Sequence, residues 1–252
     1  MSRWIERAVR AGAELVHFPE TALTGYHRAH LKDPRRIDRE KLALFDSHLR
    51  RKAAICGIWL AYGSTHFEAG HDLPFNCLYL VNPSGEEVCR YDKIFLTDTD
   101  LEAYTPGNRI AIARVKDFRV GLTICFDMRF PELFRSYLAA GVDLILISSY
   151  QAGGERAAHM RIVAPANLIT RAAENGIYLS ASNTSQAPSW HESLVVKFNG
   201  RPLAQARRHR PSMALATLDL DDHEPFTDFI RETAQKTRWG KYPGLDLPLC
   251  SD

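Results

Sequence analysis

A cysteine at the end of an apolar run is the residue of this sequence best suited to chemistry. Residues 120–124 have the composition of a buried strand, and Cys125 follows them directly. Pro131 suits the first turn of a helix, which Gly141 ends before a second apolar run at 142–148. This βαβ pattern places the cysteine at the carboxyl end of a strand and near a helix N-terminus, where open α/β sheets bind ligands and a thiolate is stabilised. We therefore predict a nucleophilic cysteine at position 125.

Two ionisable residues at other predicted strand ends supply what a thiol nucleophile needs. A thiol that attacks an amide requires a base for its proton and a cation or hydrogen-bond donors for the oxyanion that forms. Glu20 follows the predicted strand 13–18, and it could take the thiol proton, pass it to leaving ammonia and later activate water. Lys93 follows the predicted strand 87–91 and would place a positive charge at the oxyanion, with the backbone N–H of Phe126 as a second donor.

Each of these residues alone also has an ordinary structural interpretation. Cys125 by itself is typical of a small buried apolar residue, Lys93 of a surface lysine at a hairpin edge, and Glu20 of a solvated strand end. Their combination at matching strand ends favours the chemical interpretation. The remaining cysteines have no such neighbours and are interpreted as core or surface residues: Cys56, Cys77, Cys89 and Cys250.

The composition limits what else the chain could be. Its 252 residues, 45% hydrophobic and 25% charged, are typical of one globular α/β domain. The formal net charge of +2 is too small to indicate a nucleic-acid or membrane partner, and no apolar run approaches the length of a transmembrane helix. The five cysteines are odd in number and widely spaced, which indicates neither a disulfide framework nor a zinc site and favours a cytoplasmic location. No nucleotide motif or ligand cluster is found, so neither a metal nor a cofactor is predicted.

Strands and helices alternate along the chain without a linker or an internal repeat. The runs 75–81 and 87–91 flank a turn sequence and predict a hairpin, and 110–115 with 119–124 predicts a second antiparallel pair. Further strands are predicted at 13–18, 59–63, 142–148, 177–182, 193–197, 203–206 and 213–220, and helices at 4–12, 38–55, 131–140 and 162–175, with a partly helical tail from Glu224. Hairpins mixed with βα units predict an α/β fold with a mixed sheet, or two packed sheets, covered by helices.

Three pieces of the chain together resemble the nitrilase, or carbon–nitrogen hydrolase, superfamily. They are residues 18–26, 91–96 and 125–132, and their order, spacing and positions at strand ends make the combination specific. The resemblance extends from about residue 3 to about residue 220. It implies a four-layer αββα sandwich, a cofactor-free catalytic triad made of the glutamate, lysine and cysteine named above, and assembly into homodimers or larger homo-oligomers.

The resemblance implies a further acidic participant and contains one departure. Many family members have a second glutamate between the lysine and a Pro-Gly turn, where it orients the lysine and the substrate. Glu102 matches the short-loop amidase form of this region, whereas other branches place the glutamate two residues earlier, where this chain has Asp100. Phe95 departs from the family pattern, because many members that act on small dicarboxylate amides have a histidine there.

Three other residues are candidates for substrate contacts. Tyr26 and Tyr150 follow predicted strand ends and are expected to form pocket walls, although core or surface positions would suit them equally. Arg129 lies within the cysteine block, where it either pairs with Asp127 to fix the cysteine's turn or binds a substrate carboxylate. The first of these two roles for the arginine is the one we favour.

The start of the sequence departs from the family pattern. Family members normally begin with an apolar strand before the helix that leads to the glutamate, whereas this chain starts within that helix. We expect the sheet to lack its first strand and to have a defect at that edge, which solvent, a partner chain or rearranged residues would fill.

The sequence predicts a cytoplasmic thiol hydrolase of carbon–nitrogen bonds other than peptide bonds. An amidase that releases ammonia from a small carboxamide through a cysteine thioester is the leading interpretation. Hydrolysis of nitriles or N-carbamoyl compounds by the same triad remains open, as does a non-catalytic metabolite-binding or scaffold protein on this fold. We expect residues 1–252 to form a single domain, with 224–252 a C-terminal tail that contributes to oligomer contacts.

Overall fold

The computed structural model describes residues 1–27, 29–154 and 157–237, with the backbone of 241–242 and 245–246. The helices are α1 Ser2–Arg10, α2 Arg39–Cys56, α3 Pro131–Ala139, α4 Met160–Ala173 and α5 Pro225–Lys236, and two short 3₁₀ helices span Pro34–Arg36 and Cys125–Arg129. The strands are β1 Leu15–His17, β2 Trp59–His66, β3 Phe75–Val81, β4 Glu87–Asp92, β5 Ala111–Val115, β6 Phe118–Ile124, β7 Leu144–Ser149, β8 Tyr178–Asn183, β9 Leu194–Val196, β10 Pro202–Gln205, β11 Lys241–Tyr242 and β12 Leu245–Asp246. None of the helices in the described ranges is long and apolar enough to cross a membrane.

Two main sheets form the centre of the fold. The first has the strand order β1-β2-β3-β4, in which β1 runs parallel to β2 and the other pairs are antiparallel. The second has the order β10-β9-β8-β7-β6-β5, with β6, β7 and β8 parallel and the flanking pairs antiparallel. The two predicted hairpins correspond to β3–β4 and β5–β6, and the predicted βαβ unit is β6–α3–β7.

Three buried clusters separate four layers. One joins α1 and α2 to the outer face of the first sheet, through residues such as Ile5, Leu49, Leu60 and Tyr62. A second fills the space between the sheets, with Leu78, Leu80, Leu122 and Leu146 among its members. A third packs α3 and α4 on the second sheet, with Phe134, Ile147 and Leu168. The expected αββα sandwich is confirmed, and because β7 is covered on both faces all six of its residues are buried and its first four, 144–147, are apolar rather than alternating.

The predicted last strand is wrong. Residues 213–220 form no strand, although their side chains alternate between exposed and half-buried as a strand would require. A cavity of about 860 Å³ separates this segment from β1, and both line it. Among the described residues β1 pairs only with β2, so the first sheet ends at an open edge, in the region where the sequence predicted a defect. The 213–220 segment therefore has no neighbouring strand with which to form a ladder.

A close backbone approach positions the segment that carries Glu20. Gly63 of β2 donates its N–H to Pro19 O and accepts a hydrogen bond from Leu23 N. A Cβ atom at position 63 would lie only 2.3 Å from Thr21 N and 2.5 Å from Pro19 O. Thr21 itself has a φ of 48°, in the left-handed region that a non-glycine residue rarely adopts. Glycine at position 63 thus permits a tight, strained turn at the end of β1.

Replacing Gly63 with alanine should displace this turn. Because the added methyl group would overlap backbone atoms, we expect Gly63→Ala to lower the free energy of unfolding by about 1–3 kcal/mol. Gly154→Ala is the matched control, because no described heavy atom lies within 4 Å of a Cβ placed there. Urea denaturation of both variants measures the difference, and equal unfolding free energies would contradict the close approach.

Candidate active site

Cys125 lies in a strained turn between β6 and a short 3₁₀ helix. Its φ is 49°, which is unfavourable for a residue with a side chain and which turns the thiol away from the strand direction. The residue is only 8% exposed. Strained backbone of this kind persists only when neighbouring contacts hold it in place, and it is frequent at functional sites.

Asp127 provides the contacts that hold the cysteine turn. Its carboxylate accepts hydrogen bonds from Ile124 N at 2.9 Å, Phe95 N at 2.9 Å and the Tyr91 hydroxyl at 2.8 Å. Complete burial raises its pKa to about 6, although the three donated hydrogen bonds oppose that rise. The same carboxylate therefore fixes the end of β6 and the segment after β4, which carries Lys93.

The favoured ion pair between Asp127 and Arg129 is wrong. Arg129 is exposed, and its Nη2 lies 2.6 Å from Met160 Sδ. Backbone N–H groups and a tyrosine hydroxyl satisfy the aspartate instead, as is typical of a carboxylate buried at a turn. The arginine is thus directed toward α4 rather than into the turn.

The Lys93 ammonium is buried between two carboxylates. Its Nζ donates to Glu20 Oε1 at 2.9 Å and to Asp100 Oδ2 at 2.7 Å, and each of the three residues is at most 2% exposed. Burial alone would lower the pKa of Lys93, but the negative charges of Glu20 and Asp100 raise it well above its usual range. For Asp100 the lysine outweighs burial, and the pKa is lowered. The cluster therefore keeps a charged amine among buried side chains.

Glu20 is held on both of its oxygens. Besides the lysine, Asn76 Nδ2 donates to Oε1 at 2.7 Å, and Tyr150 N donates to Oε2 at 2.8 Å. Burial raises the pKa of the Cys125 thiol well above its usual range, and the charge of Glu20 raises it further, whereas Lys93 and the Tyr150 N–H oppose the rise. The resting sulfur is therefore a neutral thiol whose reaction requires a base, and Glu20 is the carboxylate beside it.

The acidic residue that contacts the lysine is Asp100, not Glu102. Glu102 is exposed on the turn after position 100, whereas Asp100 is fully buried against the amine. Tyr26 also reaches this aspartate, with its hydroxyl donating to Oδ1 at 3.2 Å. The resemblance favoured Glu102, whereas Asp100, the position that other branches use, makes the hydrogen bond to Lys93.

The predicted wall residues Tyr26 and Tyr150 lie together beside the cluster. Their rings stack with centroids 4.4 Å apart and an interplanar angle of 8°. On the other side Phe126 follows the cysteine, and its ring meets Phe130, which stacks on Phe95 at 3.8 Å. Two groups of aromatic rings therefore lie in this region, Tyr26 with Tyr150 and Phe126 with Phe130 and Phe95.

Sequence reasoning missed two groups that hold Glu20. Asn76 lies on β3, where nothing in the sequence distinguishes it from a polar residue of a strand, and the Tyr150 contact comes from the backbone. The signal available in the sequence was limited to a polar residue within an otherwise apolar strand.

Comparison with known proteins places the whole arrangement in one family. Residues 1–227 match the model of the carbon–nitrogen hydrolase family. The deaminated glutathione amidase of Rattus norvegicus is 30% identical over 240 residues, which cover 86% of this chain and 70% of the relative. An omega-amidase of Danio rerio is 26% identical over 231 residues, which cover 86% of this chain and 80% of the relative.

Solved structures give the same result. A variant of the amidase from Nesterenkonia sp. that carries acrylamide added to its active site cysteine superposes with a TM-score of 0.76 and 26% identity, over 87% of this chain and 85% of the other. Another variant of that amidase, in complex with butyramide, superposes with a TM-score of 0.70 and 27% identity, over 81% and 77% of the two chains.

The buried lysine cluster makes a prediction about stability. Asp100→Asn removes one of the two charges that compensate Lys93, so we expect the free energy of unfolding to fall by about 1–3 kcal/mol. The exposed Glu102→Gln should change it by less than about 0.5 kcal/mol. Urea denaturation at neutral pH compares the two. A larger loss for Glu102→Gln than for Asp100→Asn would contradict the assignment of position 100.

Proposed function

This chain belongs to the carbon–nitrogen hydrolase family, and from that premise we propose that it is an amidase acting on a small carboxamide through a thioester at Cys125. The observation that carries the proposal is the buried contact of Lys93 with both Glu20 and Asp100 beside a thiol that needs a base. Three ionisable side chains of this kind are costly to bury together unless each offsets the others, and such sites are frequently functional.

The first half of the reaction forms the thioester. Glu20 takes the proton from the Cys125 thiol, and the sulfur attacks the carbonyl carbon of the amide. The carbonyl oxygen becomes negatively charged and is stabilised by the Lys93 ammonium and the backbone N–H of Phe126. The tetrahedral intermediate then expels the amine, which takes the proton from Glu20 and leaves as ammonia.

The second half releases the acid. With ammonia gone, Glu20 is again a carboxylate and takes a proton from a water molecule, which attacks the thioester carbon. A second oxyanion forms in the same place and collapses with departure of the sulfur, which recovers its proton from Glu20. No cofactor enters this sequence, because each proton and charge has a named residue of the chain as its partner.

We assign Asp100 a supporting role in this cycle. Each time Glu20 is protonated it stops compensating the lysine charge, although the lysine must stay charged to stabilise the oxyanion. Asp100 remains ionised, because Lys93 holds its pKa below the usual range, and it retains the second hydrogen bond to Nζ. The Tyr26 hydroxyl donates to the same aspartate, so a proposed wall of the substrate pocket is joined to the Lys93–Asp100 pair.

Short uncharged carboxamides are the proposed substrate class. Tyr26, Tyr150, Phe95 and Phe126 supply aromatic surface around the thiol, and the two carboxylates outnumber the single ammonium of the cluster. The solved relatives were trapped with acrylamide or butyramide, which are small amides. Arg129 lies toward α4, where one of its guanidinium nitrogens contacts Met160 Sδ.

Replacing the cysteine tests the nucleophile. We expect Cys125→Ala to abolish ammonia release from acrylamide and butyramide, and Glu20→Gln to lower kcat about 10²–10⁴-fold through loss of the base. Cys56→Ala is the matched control and should keep wild-type activity, because Cys56 lies at the end of α2, far from the cluster. Circular dichroism confirms that each variant is folded.

A wider panel separates the alternatives. Ammonia from nitriles would indicate a nitrilase, and ammonia together with carbon dioxide from N-carbamoyl compounds would indicate a carbamoyl hydrolase. Wild-type protein that releases ammonia from none of these compounds, with a Cys125 no faster to alkylate than Cys56, would contradict the proposal and favour a binding or scaffold role.

We propose that the chain is a single domain that forms homo-oligomers through the helical layer on the second sheet. On α5, Phe226 is 75% and Phe229 is 62% exposed, and Ile162 on α4 is 76% exposed. Exposed apolar side chains grouped on one layer mark protein contact surfaces. The tail prediction falls partly on α5; residues 238–240, 243–244 and 247–252 lie outside the described part. The four described cysteines are free, which supports the proposed cytoplasmic location.

Charging the α5 surface should dissociate the oligomer. We expect the double variant Phe226→Asp with Phe229→Asp to move the protein to a lower oligomeric state, because two carboxylates would be desolvated at the contact. Ile55→Asp is the control, since Ile55 is 69% exposed on α2, in the opposite layer. Light scattering after size-exclusion chromatography measures the mass of each. An unchanged mass in the double variant would rule out this contact.

A further inference from the structure

A histidine lies in the space between the two sheets, close to Glu20 in the chain. His17 is the last residue of β1, three positions before the glutamate. Its neighbours Val16 and Phe18 pack toward the outer helices, so the strand alternation directs His17 toward the second sheet. The other residues that fill this space are mostly apolar, which makes a polar group here unusual.

Two serines of the second sheet meet the histidine. His17 Nε2 lies 2.9 Å from Ser148 Oγ on β7, and Nδ1 lies 3.1 Å from Ser180 Oγ on β8. Ser148 Oγ also donates to Phe18 O at 2.8 Å. Since the Ser148 proton is used in that bond, Nε2 must carry the imidazole proton, and Nδ1 then accepts from Ser180. Burial lowers the pKa of His17, in agreement with this neutral form.

The hydrogen bonds therefore run in one direction through the two sheets. The Ser180 hydroxyl donates to His17, His17 donates to Ser148, and Ser148 donates to the backbone of β1's end at Phe18. His17 and Ser148 each donate one hydrogen bond and accept one, and no side-chain polar atom of these three residues is left without a partner. A network that is complete in only one arrangement fixes the relative position of the strands it joins.

The contacts of Glu20 depend on this relative position of β1 and β7. Ser148 stands two residues before Tyr150, whose N–H donates to Glu20 Oε2. Phe18, whose carbonyl oxygen accepts the hydrogen bond from Ser148, stands two residues before Glu20. The segments at the ends of β1 and β7 thus carry the histidine network and, two residues further along each segment, the two partners of the hydrogen bond that orients the carboxylate.

Among the described residues, the backbone hydrogen bonds at the end of β1 lie on the β2 side, where Phe18 N donates to Ala61 O and Gly63 N donates to Pro19 O. Within the described residues β1 pairs with β2 alone, over three residue pairs, and the large cavity lies on its free side. A short edge strand held on one side can shift, and a shift of about 1 Å at a reacting group can cost about 100-fold in rate. The described backbone ladder of β1 joins it only to β2 in its own sheet. The serine–histidine network adds a connection to the opposite sheet.

We propose that His17 is a positioning residue, which holds Glu20 against the Tyr150 amide and beside Cys125 by fixing β1 to β7 and β8. The inference rests on the proposed amidase function. It assigns His17 no contact with the substrate and no proton transfer.

Two substitutions of His17 test the proposal in the full chain. His17→Phe fills the space but removes both hydrogen bonds, and His17→Gln keeps a donor for Ser148. We expect His17→Phe to lower kcat for butyramide about 10–100-fold with KM changed less than about threefold, because the base and not the binding surface is displaced. His17→Gln should recover most of the loss. Val16→Ala is the control, since Val16 lies on the same strand but packs away from the network.

A second measurement needs no turnover. Iodoacetamide alkylation of Cys125, followed by peptide mass spectrometry, reports how readily the thiol loses its proton, and we expect it to slow in His17→Phe but not in Val16→Ala. If His17→Phe fails to fold by circular dichroism, Ser148→Ala and Ser180→Ala, which only delete hydroxyls, replace it with the same expectations.

The outcomes are distinct. A wild type that does not hydrolyse butyramide or the other panel compounds refutes the proposed function, while the alkylation rates still decide the role of His17. An active wild type with kcat and alkylation unchanged in His17→Phe overturns the positioning role. Losses in His17→Phe that Val16→Ala matches, at equal thermal stability, overturn it as well, because they would follow from stability alone.

Discussion

The contact on which the rest of the structure depends is the buried ammonium of Lys93 between two carboxylates. An isolated charge in this interior would be expensive enough to be neutralised, so the amine stays charged only while Glu20 and Asp100 remain within hydrogen-bond distance. These residues come from the end of β4, the end of β1 and a turn after position 96. The fold must therefore place three separate chain segments precisely enough to keep both hydrogen bonds to the Lys93 ammonium.

Two of the four described non-glycine residues with a positive φ lie at this site. Cys125 and Thr21 both have left-handed φ values, one at the thiol and one directly after Glu20. Each is held by a rigid neighbour: Asp127 accepts three hydrogen bonds around the cysteine turn, and Gly63 allows β2 to lie directly against the glutamate turn. The strain is local, whereas the stabilisation comes from buried hydrogen bonds and the surrounding apolar layers.

The sequence was most informative where function and local structure coincide. Glu20, Lys93 and Cys125 each follow a recognisable strand within a motif that resembles the carbon–nitrogen hydrolase family, so the resemblance implied that they meet, and the structure brings them together. Asp100 was only one of two possible acids, because a loop's path depends on contacts that spacing does not encode. Asn76 and the Tyr150 amide could not be predicted, since one is an ordinary strand residue and the other is backbone.

The wrong prediction of a strand at 213–220 has a different cause. Alternation of side chains reports which face of a segment is buried, but a strand also needs a neighbour with free N–H and C=O groups. That segment and β1 both line a large cavity, and no backbone ladder forms between them. β1 is consequently held by β2 and by side-chain hydrogen bonds to the second sheet. A polar network between sheets normally stabilises less than the apolar packing it replaces, so its presence here is better explained by orientation than by stability. In this molecule β1 is a short edge strand that leads into the turn of Glu20, the proposed general base, and a strand in that position needs such orientation.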